Sequence, residues 1–392
     1  MVMGDVLILL TLFYILSQIR SESTDDTLVL VHTIFRHGDR NPDLLNLFPK
    51  SPYYNESFYA PFGYGQLTNK GKVRAYKVGT DLRERYNGFL DETYNIDLIE
   101  PRSSDFNRTK GSLEVMLAGL FPPTPDLVWM DGFNWQPIAF NYVERKYDKE
   151  LFCYGCPNWD KEINSYLTSE EGHVFTNKYQ DTFKYIAKNT GEDITEILQV
   201  YYMYFGFTIQ EELHLTLPDW TKEVYPEPMK TIAIEYYNLM FSTPNLMKMS
   251  GGYLLKKIFS DTRSKINGAL PRRKMYIYCG HENNIASVLK ILKCREDDEI
   301  PGYGAYVLLE LHYINDTYGF KLFYQNYNTT EPILLRLPDC DEFCPFEKFI
   351  SVAEEFIPKD ESICGTGSSS SAENFASVSH FIYVLVLILN LF

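Results

Sequence analysis

Residues 27–35, TLVLVHTIF, run without interruption into residues 36–42, RHGDRNP. The first stretch is apolar and rich in β-branched residues, which reads as a buried strand. The second opens on a cation, an imidazole and a glycine, and reads as the turn that leaves the strand. The same design recurs twice. Residues 94–99 (YNIDLI) read as a short strand ending at Glu100-Pro101-Arg102-Ser103-Ser104-Asp105, with a helical pattern from Phe106 to Leu120. Residues 274–278 (KMYIY) read as a strand, Gly280-His281-Glu282 as its turn, and Asn284 to Lys293 as the helix that follows. In open α/β sheets the loops at the carboxyl ends of strands build the ligand crevice. Three loops carrying cations are therefore expected to meet at one site.

Around these units the chain reads as an α/β protein, a mixed sheet flanked by helices with an inserted, mainly helical lobe. A helix from Thr68 to Tyr86 places Ala75, Val78, Leu82 and Tyr86 on one apolar stripe, with Lys, Arg and Glu opposite. Residues 126–252 hold helix-like stretches, among them Asp193 to Phe205 and Met229 to Phe241, broken by Pro218, Pro226 and Pro228. Residues 24–125 and 253–364 are thus assigned to the α/β domain and 126–252 to a helical cap. No repeat of solenoid length is present.

Both ends look like processing signals. Val6 to Ser17 (VLILLTLFYILS) is an apolar run of secretory length, so residues 1–23 read as a signal peptide, although its leading segment has Asp5 and no Lys or Arg. Residues 365–392 pass from small residues through a polar spacer to a terminal FIYVLVLILNLF, the order of a glycolipid-anchor signal. That tail is about half the roughly twenty residues a spanning helix requires. A tail trimmed or kept in a soluble protein would show the same pattern, so the anchor stays an open alternative. Secretion, with or without tethering to the cell surface, ranks above a lysosomal location.

The sequons at Asn55, Asn107, Asn315 and Asn328 fit glycosylation along that route. Seven cysteines leave one unpaired if the others form disulfides. Cys153-Tyr-Gly-Cys156 has no second CxxC and no His pair nearby, which argues against a zinc or redox motif. The sequence has no HExxH either, since position 285 is Ile, so a metal-dependent phosphatase is a weak reading and no cofactor is expected. A net charge of −15 repels nucleic acid and anionic membrane. A small anionic substrate would need a local cluster of cations.

Residues 36–42 supply one. Arg36 and Arg40 flank His37, and guanidinium groups offer paired donors to phosphate oxygens. Gly38 lets the backbone approach closely. Positive neighbours keep the His37 imidazole neutral, which a nucleophile requires. Taken alone, Arg102 could equally form an ion pair with Asp105, and His281 could be a core histidine.

The full R-H-G-x-R-x-P string resembles the histidine acid phosphatases. The likeness extends through RSSDFNRTKGSLEVMLAGLFPP (102–123), ELHLTLPDW (212–220), GGYLLKKI (251–258), PGYGAYVLLEL (301–311) and LPDCDEFCPFEKF (337–349), in matching order and spacing. The resemblance implies a phosphoglycerate mutase-like α/β domain with a helical cap, no metal, and small phosphomonoester substrates turned over through a phosphohistidine. It casts His37 as nucleophile, Arg36, Arg40, Arg102 and His281 as phosphate ligands, and Glu282 as proton donor. Family members usually have His-Asp where this chain has His281-Glu282, which keeps the carboxyl group but adds a methylene. A secreted phosphate-binding or venom-type protein without turnover is the rival that this change motivates. The resemblance also implies disulfides Cys156–Cys364 and Cys340–Cys344, names no partners for Cys153, Cys279 and Cys294, and leaves a homodimer open.

Overall fold

The computed structural model describes residues 26–294 and 299–365. The expected leader and nearly all of the C-terminal tail lie outside them.

Strand β1 (Leu28–Arg36) is central because its two faces are apolar in alternation. Leu30 and Ile34 join one buried cluster, and Val31 and Phe35 join the other. On the second face lie helix α1 (Asn69–Arg85) and, after β2 (Ile99–Ser103), helix α2 (Asn107–Leu120). Thr68 caps α1 by accepting from Gly71 N–H, and Val78 and Leu82 of the predicted stripe are buried there. On the first face lie α9 (Tyr253–Ile266), α10 (Glu282–Ile291) and α11 (Phe346–Ala353).

Among the described residues the sheet has eight strands. β1 runs parallel to β4 (Met275–Gly280), β4 parallel to β2, and β2 parallel to the two-residue β3 (Asn141–Tyr142). On its other side β1 pairs antiparallel with β5 (Tyr306–Ile314), followed by β6 (Thr317–Gln325) and β7 (Ile333–Leu335). The short β8 (Cys344–Pro345) also pairs with β6.

The helical lobe has its own core. Helices α3 (Pro157–Leu167), α4 (Glu170–Asn177), α5 (Gln180–Thr190), α6 (Ile197–Glu212), α7 (Met229–Leu239) and the short α8 (Pro244–Met247) follow β3. Trp159, Phe183, Val200, Phe207, Ile232 and Tyr236 are buried together there. Cys156–Cys364 ties the base of this lobe to the end of the described chain, and Cys340–Cys344 closes a small loop before α11.

Two boundaries differ from expectation. The division at residue 126 is passed by the sheet itself, which still gains β3 at Asn141–Tyr142. The second strand is Ile99–Ser103 rather than 94–99, so Pro101 and Arg102 lie within it. Proline is tolerated because β3 pairs only with Arg102 and Ser103, leaving β2 open on that side at Pro101.

Candidate active site

β1, β4 and β2 are neighbours and parallel, so the three turns at their carboxyl ends emerge side by side. His37 follows the last residue of β1 and is buried, and its N–H donates to Gly280 O at 3.1 Å. Gly38 is required sterically: a Cβ there would sit 2.1 Å from the carbonyl oxygen of Gly71 in the first turn of α1. Gly38 N–H donates to Ser112 Oγ of α2 at 3.0 Å, so both helices hold the turn.

Two contacts decide the state of the His37 ring. Nδ1 lies 2.8 Å from Gly38 O, and a carbonyl only accepts, so Nδ1 carries the proton. On the other side Arg108 Nε–H donates to Nε2 at 3.3 Å, which requires Nε2 to be the lone-pair nitrogen. Burial first, then the positive charges of Arg108 and Arg36, hold the His37 pKa well below the usual range. The lowered pKa favours the neutral imidazole, whose lone-pair nitrogen faces a guanidinium.

The cations around it are individually braced. Arg36 Nη1 donates to Pro301 O at 2.7 Å, its guanidinium stacks 4.1 Å above the Tyr303 ring, and Nε stands 3.2 Å from Glu282 Oε2. Arg40 Nη1 donates to Asn46 Oδ1 at 3.1 Å and pairs with Asp43 at 3.1 Å. Asp39, buried behind the motif, holds Arg74 at 2.6 Å and Lys70 at 3.1 Å, which ties the turn to α1. The His281 ring packs edge-on to His37 at 5.5 Å, and its Nε2 lies 3.1 Å from Ser104 Oγ. Ser104 donates its own proton to Thr109 Oγ1, which leaves its oxygen to accept from His281. Burial and the Arg108 charge push the His281 pKa down to about 3. Burial alone would raise the Glu282 pKa, but the Arg36 charge prevails and lowers it.

Of the residues expected at the site, Arg36, His37, Arg40, His281 and Glu282 converge on it. Arg102 is engaged elsewhere. It lies inside β2 and forms ion pairs with Asp148, at 2.5 Å, and with Glu150. Nor does it pair with Asp105, which takes Lys110 instead at 2.5 Å. The guanidinium at His37 Nε2 is that of Arg108, six residues on in the first turn of α2. The stretch RSSDFNRT holds both arginines, and the resemblance assigned the ligand to the first; the ladder to β4 holds Arg102 inside β2, and the helix turn after it presents Arg108. Tyr303 and Asp43 were also missed, since neither lies in a turn singled out by pattern.

A neutral imidazole nitrogen walled by guanidinium groups, at the carboxyl edge of parallel strands, defines a class of protein: one built to receive a tetrahedral oxyanion. The family described as histidine phosphatase superfamily (branch 2) matches residues 27–325. The chain is 36% identical to venom acid phosphatase Acph-1 of Apis mellifera over 90% of this chain and 92% of that one. It is 30% identical to prostatic acid phosphatase of Bos taurus, over 85% and 86% respectively. In fold it is similar to a Hafnia alvei phytase solved in complex with tartrate, with TM-score 0.61, 16% identity, and 86% and 98% of the two chains covered. The chain belongs to the histidine phosphatase superfamily, branch 2, and is an enzyme of that class, a phosphomonoester hydrolase.

Proposed function

We propose that the chain acts as an acid phosphatase that removes phosphate from small monoesters in two steps, through a phosphorylated His37. The observation that carries this reading is the pair of hydrogen bonds on the His37 ring, which leaves Nε2 as the one lone-pair nitrogen, among cations. In the first step Nε2 forms a bond to phosphorus as the ester P–O bond breaks. Arg36, Arg40 and Arg108 hold the other phosphoryl oxygens, where charge is stabilised in the transition state, and His281 joins them by turning its Nε2–H from Ser104 Oγ to the phosphoryl group. Glu282 gives its proton to the leaving oxygen. In the second step water attacks phosphorus, the Glu282 carboxylate takes the water's proton, the P–N bond breaks and neutral His37 returns. Nδ1–H stays on Gly38 O throughout and stabilises the positive ring of the intermediate.

The acid range follows from Glu282. In the free site it is ionised beside Arg36, so it needs a proton before it can donate one. Phosphate monoesters have a second pKa near 6, so below that they enter as monoanions carrying a proton. Their negative charge also competes for Arg36 and raises the Glu282 pKa, which lets the proton move to the carboxylate. Acid quench during turnover of a 32P-labelled monoester should leave label on the protein, mapped to His37. No trapped label, together with turnover of p-nitrophenyl phosphate no greater than in His37→Ala, would leave only a phosphate-binding protein.

Export suits the same chain. Its two disulfides belong to an oxidising compartment, and Asn55, Asn107, Asn315 and Asn328 are all exposed. The terminal apolar tail supports a glycolipid anchor, for which release of the enzyme from cells by phosphatidylinositol-specific phospholipase C is the test. A homodimer would cover the open sheet edge at β3, where Tyr142 and the nearby Trp129 and Phe133 are exposed.

A further inference from the structure

The guanidinium of Arg145 differs from those of the other arginines near the pocket. Arg36, Arg40, Arg102 and Arg108 each have a carboxylate within 4 Å. The Arg145 guanidinium has no carboxylate within 4 Å and no hydrogen-bond partner among the described residues; Asp105 and Asp43 act on it only at longer range, and its close contact is a ring, 4.1 Å from the centroid of Phe106. That ring is part of the pocket wall. It packs edge-on to His281 at 4.9 Å, and Arg108, which reaches His37 Nε2, stands 4.5 Å from the same centroid. Arg145 and Arg108 are therefore separated by no more than the breadth of one aromatic ring with its contacts.

The placement is built rather than incidental. Arg145 N–H donates to Asp105 Oδ2 at 3.3 Å, which pins its backbone to the loop between β2 and α2. Burial would raise the Asp105 pKa, but Lys110 and Arg145 lower it, so the pin persists in acid. Beyond it, Asp148 accepts from Leu151 N–H at 3.0 Å and is gripped by Arg102. Arg102 thus positions the segment that presents Arg145. In a chain of net charge −15, an arginine held beside this wall with its guanidinium donors free of any direct carboxylate contact can take an anion.

We propose that Arg145 forms a second anion subsite, selecting phosphate monoesters whose leaving group carries a further carboxylate or phosphate about one aromatic ring away from the scissile group. The inference rests on the phosphatase reading above. A half-exposed, charge-assisted contact is worth about tenfold in kcat/KM. The test compares phenyl phosphate with its 3- and 4-carboxylated derivatives. Wild type should favour a carboxylated ester, the ratio of kcat/KM values should fall about tenfold in Arg145→Gln, and Arg145→Lys should restore part of it. Raising ionic strength should lower the wild-type ratio, a measurement that needs no variant. A wild-type ratio at or below one, a ratio insensitive to salt, or equal losses on all esters in Arg145→Gln would overturn the subsite and leave Arg145 as packing on Phe106. If the phosphatase reading itself were wrong, wild type would not turn over phenyl phosphate above His37→Ala.

Discussion

Replacing Arg108 by Gln separates two accounts of this pocket. Arg108 Nε is 3.3 Å from His37 Nε2, so under the proposed mechanism its charge acts both on the phosphoryl oxygens and on the imidazole. Loss of one preorganised donor of this kind costs about 10²–10³-fold in kcat, or roughly 3–4 kcal/mol. A unit charge about 4 Å away, at an effective dielectric of about 20, gives about the same figure. The second effect concerns pH. Arg108 lowers the pKa of both His37 and His281, so its removal lets them rise. His37 must be neutral to attack, and a higher pKa leaves it protonated over more of the acid range. The acid limb of kcat/KM should therefore move to higher pH. Arg102→Gln is the matched control. It leaves Asp148, which is fully buried, without its cation, so it should cost about 3 kcal/mol of stability and less than about tenfold in kcat. The assay is p-nitrophenyl phosphate turnover from pH 3 to 7 at constant ionic strength, with urea unfolding of each variant. An Arg108→Gln enzyme within tenfold of wild type whose acid limb overlays it would refute the reasoning. So would an Arg102→Gln enzyme that loses as much rate.

Other positions give sharp outcomes. Glu282→Ala should slow alkyl phosphates by about 10²-fold and p-nitrophenyl phosphate far less, because only a poor leaving group needs the proton. Equal losses on both would remove Glu282 from that role. Gly38→Ala forces a methyl group to within 2.1 Å of Gly71 O, and should cost about 3 kcal/mol in urea unfolding as well as rate; a wild-type midpoint would refute the close approach. Glu310, buried beneath α1, accepts from Arg85 at 2.8 Å and Tyr86 at 2.7 Å. Burial opposes its ionisation, yet His312 and Arg85 prevail and lower its pKa. Its contribution to stability is present above the ordinary carboxyl range and lost as pH falls through the lowered value. Glu310→Gln should therefore cost about 2 kcal/mol at pH 7 and progressively less toward pH 3, as followed by unfolding at each pH. A constant difference would show that the carboxylate is not the stabilising form.

Local pattern was enough wherever one segment meets one environment. Seven of the nine residues of β1 are buried, on both faces, so a largely apolar, β-branched run identifies them. Helix α1 has one wet face, so its stripe and its Thr68 cap are written in the chain. Arg36, His37 and Arg40 are contiguous, and a turn after a strand delivers them together whatever lies around it.

β2 was different, because its limits depend on partners far away in sequence. Tyr94 to Leu98 look as apolar as a strand, but the ladder to β4 begins at Ile99, and Pro101 is accommodated only because β3 is so short. With β2 running to Ser103, Arg102 is held in the sheet and Arg108, in the helix turn beyond, faces His37. The sequence alone determined that a histidine flanked by arginines stands at the end of a buried strand, since those residues are neighbours by covalent bonds. Which further cations face that histidine was decided only by the tertiary structure, because strand register and the first turn of a packed helix aim side chains that no local signal can aim.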